Sequence, residues 1–283
     1  MRVLLIGGSG QLGSAILRRW TDCEIVAPPH RELDIADSEA LRAAVERIEP
    51  DALVNAAAFH DVDTCEREPE AAFAINAVAV GRAARLARER ALIFLTISTD
   101  YVFDGAADVA YAETDLPRPL SIYGASKVAG EHLTQSAGGT AFVVRTCGVY
   151  GESRTTSRRP LIRRVLGWRA GDPPLRVVDD VFVSPTFAGH LADALRRLIA
   201  TPAYGLYHAV NEGPVSWYEF ALEAARGAGL EMPIEPIGAS QWRAEAVRPR
   251  FSALANGRLE RLGIAIPDWR EGVRAYLREL KAS

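Results

Sequence analysis

Six short apolar runs, spaced by longer amphipathic stretches, constrain this chain more than any other feature. Val3 to Ile6, Glu24 to Ala27, Ala52 to Ala58, Leu92 to Ser98, Phe142 to Thr146 and Leu206 to Val210 read as strands. Between them Leu41, Ala44, Val45 and Ile48 follow the caps Asp37 and Ser38, and Leu191, Ala194, Leu195, Leu198 and Ile199 form a second series. Both keep the i, i+3, i+4, i+7 spacing of a helix that buries one face. Strands that are apolar along nearly their whole length must be covered on both sides, so the pattern implies an α/β fold with a doubly wound, mostly parallel sheet. No internal repeat is visible.

Composition narrows the class of partner. The chain has 283 residues, 33 lysines and arginines against 36 acids, and a net charge of -3, so no global field draws it to nucleic acid or to an anionic membrane. Cys23, Cys65 and Cys147 lie far apart with no CxxC pair, and the five histidines form no HxH or HExxH pattern. Neither a disulfide framework nor a metal site is expected. The apolar run at the N-terminus is about five residues long, too short for a signal-peptide core or a membrane span. A cytoplasmic protein acting on small molecules is the expectation, with a homodimer left open.

The run Gly7-Gly8-Ser9-Gly10-Gln11-Leu12-Gly13 follows the first strand at once and opens a helix. In a dinucleotide-binding turn the three spaced glycines serve different ends. Gly7 permits the tight turn, Gly10 allows close approach to a pyrophosphate, and Gly13 lets the helix pack on the strand. The helix N-terminus then offers its N–H groups to the anion. The end of the second strand usually carries an acid for the adenosine ribose, and here it reads Ala27-Pro28-Pro29-His30-Arg31. With the acid missing, Arg31 or His30 is placed to neutralise a 2′-phosphate, which favours NADP(H) while leaving NAD(H) open; a solvated loop arginine is the competing reading. Asp34 is a candidate for the adenine amino group, or a helix cap.

Tyr123-Gly124-Ala125-Ser126-Lys127 carries the strongest chemical signal. Residues i and i+4 share a helix face, so the phenol and the ammonium project into one site, where a neighbouring cation favours phenolate and makes tyrosine a general acid and base. Thr99 ends a parallel strand, where open sheets bind ligands, and its hydroxyl can hold the same substrate oxygen.

These residues together resemble the extended short-chain dehydrogenase/reductases, and more narrowly the dTDP-4-dehydrorhamnose reductase family. The resemblance runs through GQLG, LDI, PDALVNAAA, STDYVFDG, YGASKVAGE, RT-x-x-VYG, VVDD, SPT, YHAVNEG, SWYEF, RP-x-x-S-x-L at Arg248 to Leu254, and PDW. It implies a Rossmann sheet with a smaller C-terminal substrate-binding region. After Tyr150 the chain turns arginine-rich and later proline-rich, so the expected division is 1–150 plus about 175–210 for the dinucleotide and about 151–174 plus 211–283 for the substrate.

The implied activity is NADP(H)-dependent reduction of the C4 ketone of a nucleotide-linked deoxysugar. Tyr123 would protonate the oxygen, Lys127 would bind the nicotinamide ribose and depress the tyrosine pKa, and Thr99 would orient the ketone. Asp100, Tyr101, Gly148 and Arg248 would meet the sugar nucleotide. Gln11, Leu12, Asp34 and Ile35 would border the cofactor, as would Ala56, Ala57 and Ala58 at the end of the third strand.

Some positions depart from the family pattern. Gly148 stands where the family has a tryptophan, Val181-Phe182-Val183 replaces a Gln-x-Gly element, and Phe59-His60-Asp61 replaces a small polar run. Loss of the tryptophan implies a wider pocket or another filler, for which Phe182 is the candidate. Arg154, Arg158, Arg159, Arg163 and Arg164 either grip a diphosphate or form a solvated basic face. Two other functions stay open: an epimerase or dehydratase of the same superfamily, and a nucleotide-binding regulatory subunit like that of methionine adenosyltransferase.

Overall fold

The apolar runs pair side by side in a computed structural model of the chain, which describes residues 1–153, 160–242 and 244–282. In chain order the first half comprises β1 (Arg2–Ile6), α1 (Gln11–Arg19), β2 (Glu24–Val26), α2 (Ser38–Ile48), β3 (Ala52–Asn55), α3 (Val62–Arg67) and α4 (Pro69–Phe73). A π-helical turn (Ala74–Ala79) leads into α5 (Val80–Glu89), followed by β4 (Ile93–Thr99), α6 (Ile122–Ala137) and β5 (Ala141–Thr146). The second half holds α7 (Leu161–Leu166), β6 (Leu175–Val178), β7 (Phe182–Val183), α8 (Ala188–Leu198), β8 (Gly205–His208), β9 (Val215–Ser216), α9 (Trp217–Ala228), β10 (Ile234–Ile237), α10 (Gly257–Arg261) and α11 (Trp269–Ala282).

The main sheet has the order β2-β1-β3-β4-β5-β8, with every neighbour parallel. It is doubly wound as the apolar pattern implies. One face packs on α1 and α8 through Leu12, Ile16, Trp20, Leu191, Leu195 and Leu198. The other packs on α2 and α5 through Leu41, Val45, Val80, Ala84 and Leu86. The order in which strands are added across the sheet reverses between β1 and β3, and a crevice for a ligand forms at the carboxyl ends of strands beside such a switch. Asp37 caps α2 by accepting from the N–H groups of Glu39 and Ala40 at 3.1 and 2.9 Å, so Ser38 is the first helical residue rather than a cap.

Strand ends differ from the reading of the apolar runs. β3 stops at Asn55, and Ala56, Ala57 and Ala58 lie beyond it in the loop. There the Asn55 side chain accepts from the Ala57 N–H at 3.1 Å, a local bond that turns the chain out of the ladder. β2 ends at Val26 before the Pro28-Pro29 pair, which cannot donate to a ladder. β6, grouped by sequence with the nucleotide-binding part, pairs in parallel with β10 from the far C-terminal region, and β7 pairs antiparallel with β9. These small sheets cover a separate apolar cluster containing Tyr150, Phe187, Phe220, Trp269 and Tyr276.

Candidate active site

The glycine loop is shaped by close approaches of backbone. Gly7 has φ +83°, a conformation in which a side chain is strained, and a Cβ there would lie 2.7 Å from the Ala56 carbonyl carbon and the Ala57 nitrogen. A Cβ on Gly13 would come within 2.1 Å of the Gly7 oxygen. The turn thus draws β1, the start of α1 and the Ala56–Ala58 loop together. Gly10 is the N-cap of α1 and supplies no side-chain acceptor to the first-turn N–H groups. Those groups and the bare backbone form a cradle that fits a pyrophosphate. Leu12 and Ile35 are buried in the core and offer the cradle only backbone. In the loop after β2, the side chains of His30 and Arg31 are 82% and 85% exposed, and Asp34 accepts from the Ala36 N–H at 2.9 Å, closing its own turn.

Thr99 is the last residue of β4, opposite Thr146 in register. Its hydroxyl accepts from the Tyr101 N–H at 3.2 Å and donates to the Asp100 carboxylate at 3.0 Å. Helix α6 meets this turn at Gly124, where a Cβ would fall 2.2 Å from the Tyr101 carbonyl oxygen. Glycine inside Tyr123-Gly124-Ala125-Ser126-Lys127 is therefore what lets Tyr123 reach Thr99. Ser121 caps the helix by accepting from the Gly124 N–H at 3.2 Å. The ring of Tyr101 stands edge-on to that of Tyr123 at 5.9 Å.

The electrostatics differ from the simple reading of a lysine beside a tyrosine. Burial pushes the Tyr123 phenol above its ordinary range; the Thr99 hydroxyl pulls it back and the Asp100 charge adds to the rise. The Lys127 ammonium donates instead to the Ile97 carbonyl at 2.6 Å. Burial brings Lys127 down to about 8, with Glu131 acting the other way. Glu131, one turn beyond Lys127, is buried in a bidentate pair with Arg145 at 2.9 and 2.7 Å and accepts from Ser98 at 2.5 Å. The spacing 123, 127, 131 continues a single helix face, a signal the sequence reading left unused. Asn76, also unpredicted, lies in the π-helical turn and ties the Phe59 backbone, through N–H and C=O at 2.9 Å each, to Ser126 at 3.1 Å.

The residues expected to touch the sugar divide. Asp100 is buried beneath Thr99 and bonded to Ser252 at 2.6 Å, so its carboxylate faces inward. Arg248 grips both oxygens of Asp63 at 3.1 and 3.0 Å and reaches Tyr101. Burial alone would raise Asp63, but the guanidinium and the Ala246 and Glu245 N–H groups hold it at about 2. Gly148 has φ +51°, and the space where its Cβ would stand is closed by the Trp217 ring at 2.9 Å. Trp217 is thus the filler, while Phe182 packs on Phe251 and stays 39% exposed. Arg163 pairs with Glu152 at 2.7 Å and Arg164 is exposed; Arg154, Arg158 and Arg159 lie outside the described residues. Among the described residues no cluster of His, Cys, Asp or Glu is arranged to hold a metal, and no helix is long and apolar enough to cross a membrane.

A doubly wound parallel sheet, a glycine cradle at its switch point and a Tyr-x-x-x-Lys helix beside the end of β4 define a dinucleotide-binding α/β fold of the short-chain dehydrogenase/reductase type. The profile of the family described as RmlD substrate binding domain matches residues 1–282, and the chain belongs to that family. The spore coat polysaccharide biosynthesis protein SpsK of Bacillus subtilis is 35% identical over 280 residues, 98% of this chain and 97% of its own. The dTDP-4-dehydrorhamnose reductase of Escherichia coli K12 is 34% identical, over 99% and 98% of the two chains. Among solved structures, the dTDP-4-dehydrorhamnose reductase of Bacillus anthracis in complex with NADP superposes with a TM-score of 0.93 at 31% identity, over 98% and 99% of the two chains.

Proposed function

We propose that this chain reduces the C4 ketone of a nucleotide-linked deoxysugar, with NADPH as the reductant. The observation that carries the reading is that the Tyr123 phenol meets the Thr99 hydroxyl at the carboxyl end of β4, with Lys127 one turn along the same helix and held by the Ile97 carbonyl of that strand. Relatives of the family add support, since both the reductases and a probable dTDP-4,6-dihydroxy-2-methyloxan-3-one 4-ketoreductase of Streptomyces antibioticus, 34% identical, are named for ketones of dTDP-linked substrates.

When bound, the dihydronicotinamide supplies a hydride; the chain supplies the rest. First-turn N–H groups of α1 hold the pyrophosphate, and the exposed Arg31 can reach a 2′-phosphate. Lys127, fixed by the Ile97 carbonyl, presents its remaining N–H bonds to the cofactor ribose. Tyr123 gives its proton to the carbonyl oxygen; its raised pKa keeps the phenol protonated and ready to donate at neutral pH. The Thr99 oxygen, whose hydrogen goes to Asp100 at 3.0 Å, holds the phenol in place beside the ketone. The sugar nucleotide lies against the C-terminal region, including the β6 and β7 segment, with Trp217 beside Gly148 as one wall. We place the reaction in the cytoplasm, where the unpaired Cys23, Cys65 and Cys147 stay reduced.

The test is NADPH oxidation against a panel of nucleotide 4-ketosugars. Tyr123→Phe removes only the proton donor, so it should keep NADPH affinity and lose about 10² to 10⁴-fold in turnover. Near wild-type turnover in that variant contradicts the assignment.

A further inference from the structure

The proposed reaction gives Asp100 no role, yet the residue is 3% exposed and its carboxylate is bonded to the Thr99 hydroxyl. One oxygen accepts from Thr99 at 3.0 Å, the other from Ser252 at 2.6 Å, and the Cys147 thiol also donates to it. Among the described residues its support comes from these neutral donors. A buried carboxylate held without a cation is expensive, a cost that an asparagine of the same shape would avoid. Every donor has a place in the site or its frame: Thr99 meets Tyr123, Cys147 precedes Gly148, and Ser252 belongs to the C-terminal segment that covers the crevice.

We propose that Asp100 is a positioning residue for the ketone reduction, which locks the Thr99 hydroxyl in the rotamer that meets Tyr123 and, through Ser252, ties that rotamer to the C-terminal region. Thr99 alone has more than one staggered position for its hydroxyl. The Tyr101 N–H and the Asp100 oxygen select one between them. Placement of a reacting group to within about 1 Å is worth up to about 10²-fold in rate, so the lock acts on turnover and leaves affinity nearly alone.

The inference rests on the proposed ketone reduction, and a double-mutant cycle separates the two. Asp100→Asn offers one acceptor oxygen to two hydroxyl donors; kcat should fall about 10- to 100-fold, with ketosugar KM and NADPH Kd within about 3-fold of wild type. In a Thr99→Val background, which has no hydroxyl to orient, the same change should lower kcat by less than about 3-fold. Ser252→Ala, which loosens the carboxylate but keeps it, should lower kcat about 3- to 10-fold, again only when Thr99 is present. If Asp100→Asn fails to fold, as a thermal melt will show, the cycle is run with Ser252→Ala. Losses that multiply across the cycle, or that appear in KM rather than kcat, overturn the positioning role alone. A wild-type chain that binds NADPH yet reduces none of the ketosugars overturns the reaction and the inference with it.

Discussion

Two glycines of the same loop should fail in different ways when changed to alanine. A Cβ on Gly10 would find the Gly7 oxygen at 3.5 Å, an ordinary contact, so the fold has room for it. Its cost in the free protein is that of alanine at an N-cap, about 0.5 to 1 kcal/mol, or about 1 to 2 °C of melting temperature for a chain of this size. The same methyl group stands where the pyrophosphate approaches the backbone, and displacing one charge-assisted hydrogen bond costs about 1.5 to 3 kcal/mol, a loss of about 10- to 150-fold in NADPH affinity.

At Gly13 the fold itself has no room. Its Cβ would lie 2.1 Å from the Gly7 oxygen and 2.7 Å from the Gly8 Cα, both backbone, so α1 or the turn must move. Overpacking of this kind costs about 1 to 3 kcal/mol, against which the better helix propensity of alanine returns about 1. Gly13→Ala should therefore lower the melt without cofactor and weaken NADPH as well. Thermal melts with and without NADPH, together with a fluorescence titration of the cofactor, measure both quantities. If Gly10→Ala binds NADPH like wild type, the pyrophosphate does not lie on this loop and the cradle is no cofactor site.

Three further outcomes follow from the site. Arg31→Ala should cut the preference for NADPH over NADH at least about tenfold, since one charge-assisted hydrogen bond is worth about 1.5 to 3 kcal/mol, and leave NADH affinity unchanged; parallel titrations of the two cofactors decide, and a wild-type preference for NADH sinks the 2′-phosphate reading. With Lys127 brought down to about 8 by burial, its ammonium is present below that pH and lost above it, so kcat/KM should decline as pH rises through about 8. A Lys127→Met chain should lack that limb, and a wild-type profile that stays flat well into alkali contradicts it. Gly148→Trp must place a side chain at φ +51° against the Trp217 ring, and the backbone conformation alone costs about 1 to 3 kcal/mol. Its melt should fall, with partial recovery in the Trp217→Ala double variant; a Gly148→Trp protein as stable as wild type refutes the filled-wall account.

Features that depend on neighbours along the chain were legible in the sequence. The alternation of apolar and amphipathic runs identified the six strands of the main sheet, because a strand buried on both faces must be apolar throughout. The spacing of Gly7, Gly10 and Gly13 and of Tyr123 and Lys127 marked the glycine turn and the candidate helix face, since turn and helix geometry are set within a few residues. The tertiary structure decided what depends on partners far away in sequence. Arg248 finds Asp63 across 185 residues, Ser252 reaches Asp100 across 152, and Trp217 rather than the nearer Phe182 closes the space at Gly148. Whether Asp100 faces the sugar or the interior, and whether burial or Lys127 governs the Tyr123 phenol, follow from which surfaces come to cover them. A local pattern records that a residue is polar or apolar; the dielectric around it and the donors it meets exist only once β4, β5, α6 and the C-terminal segment have closed on one another.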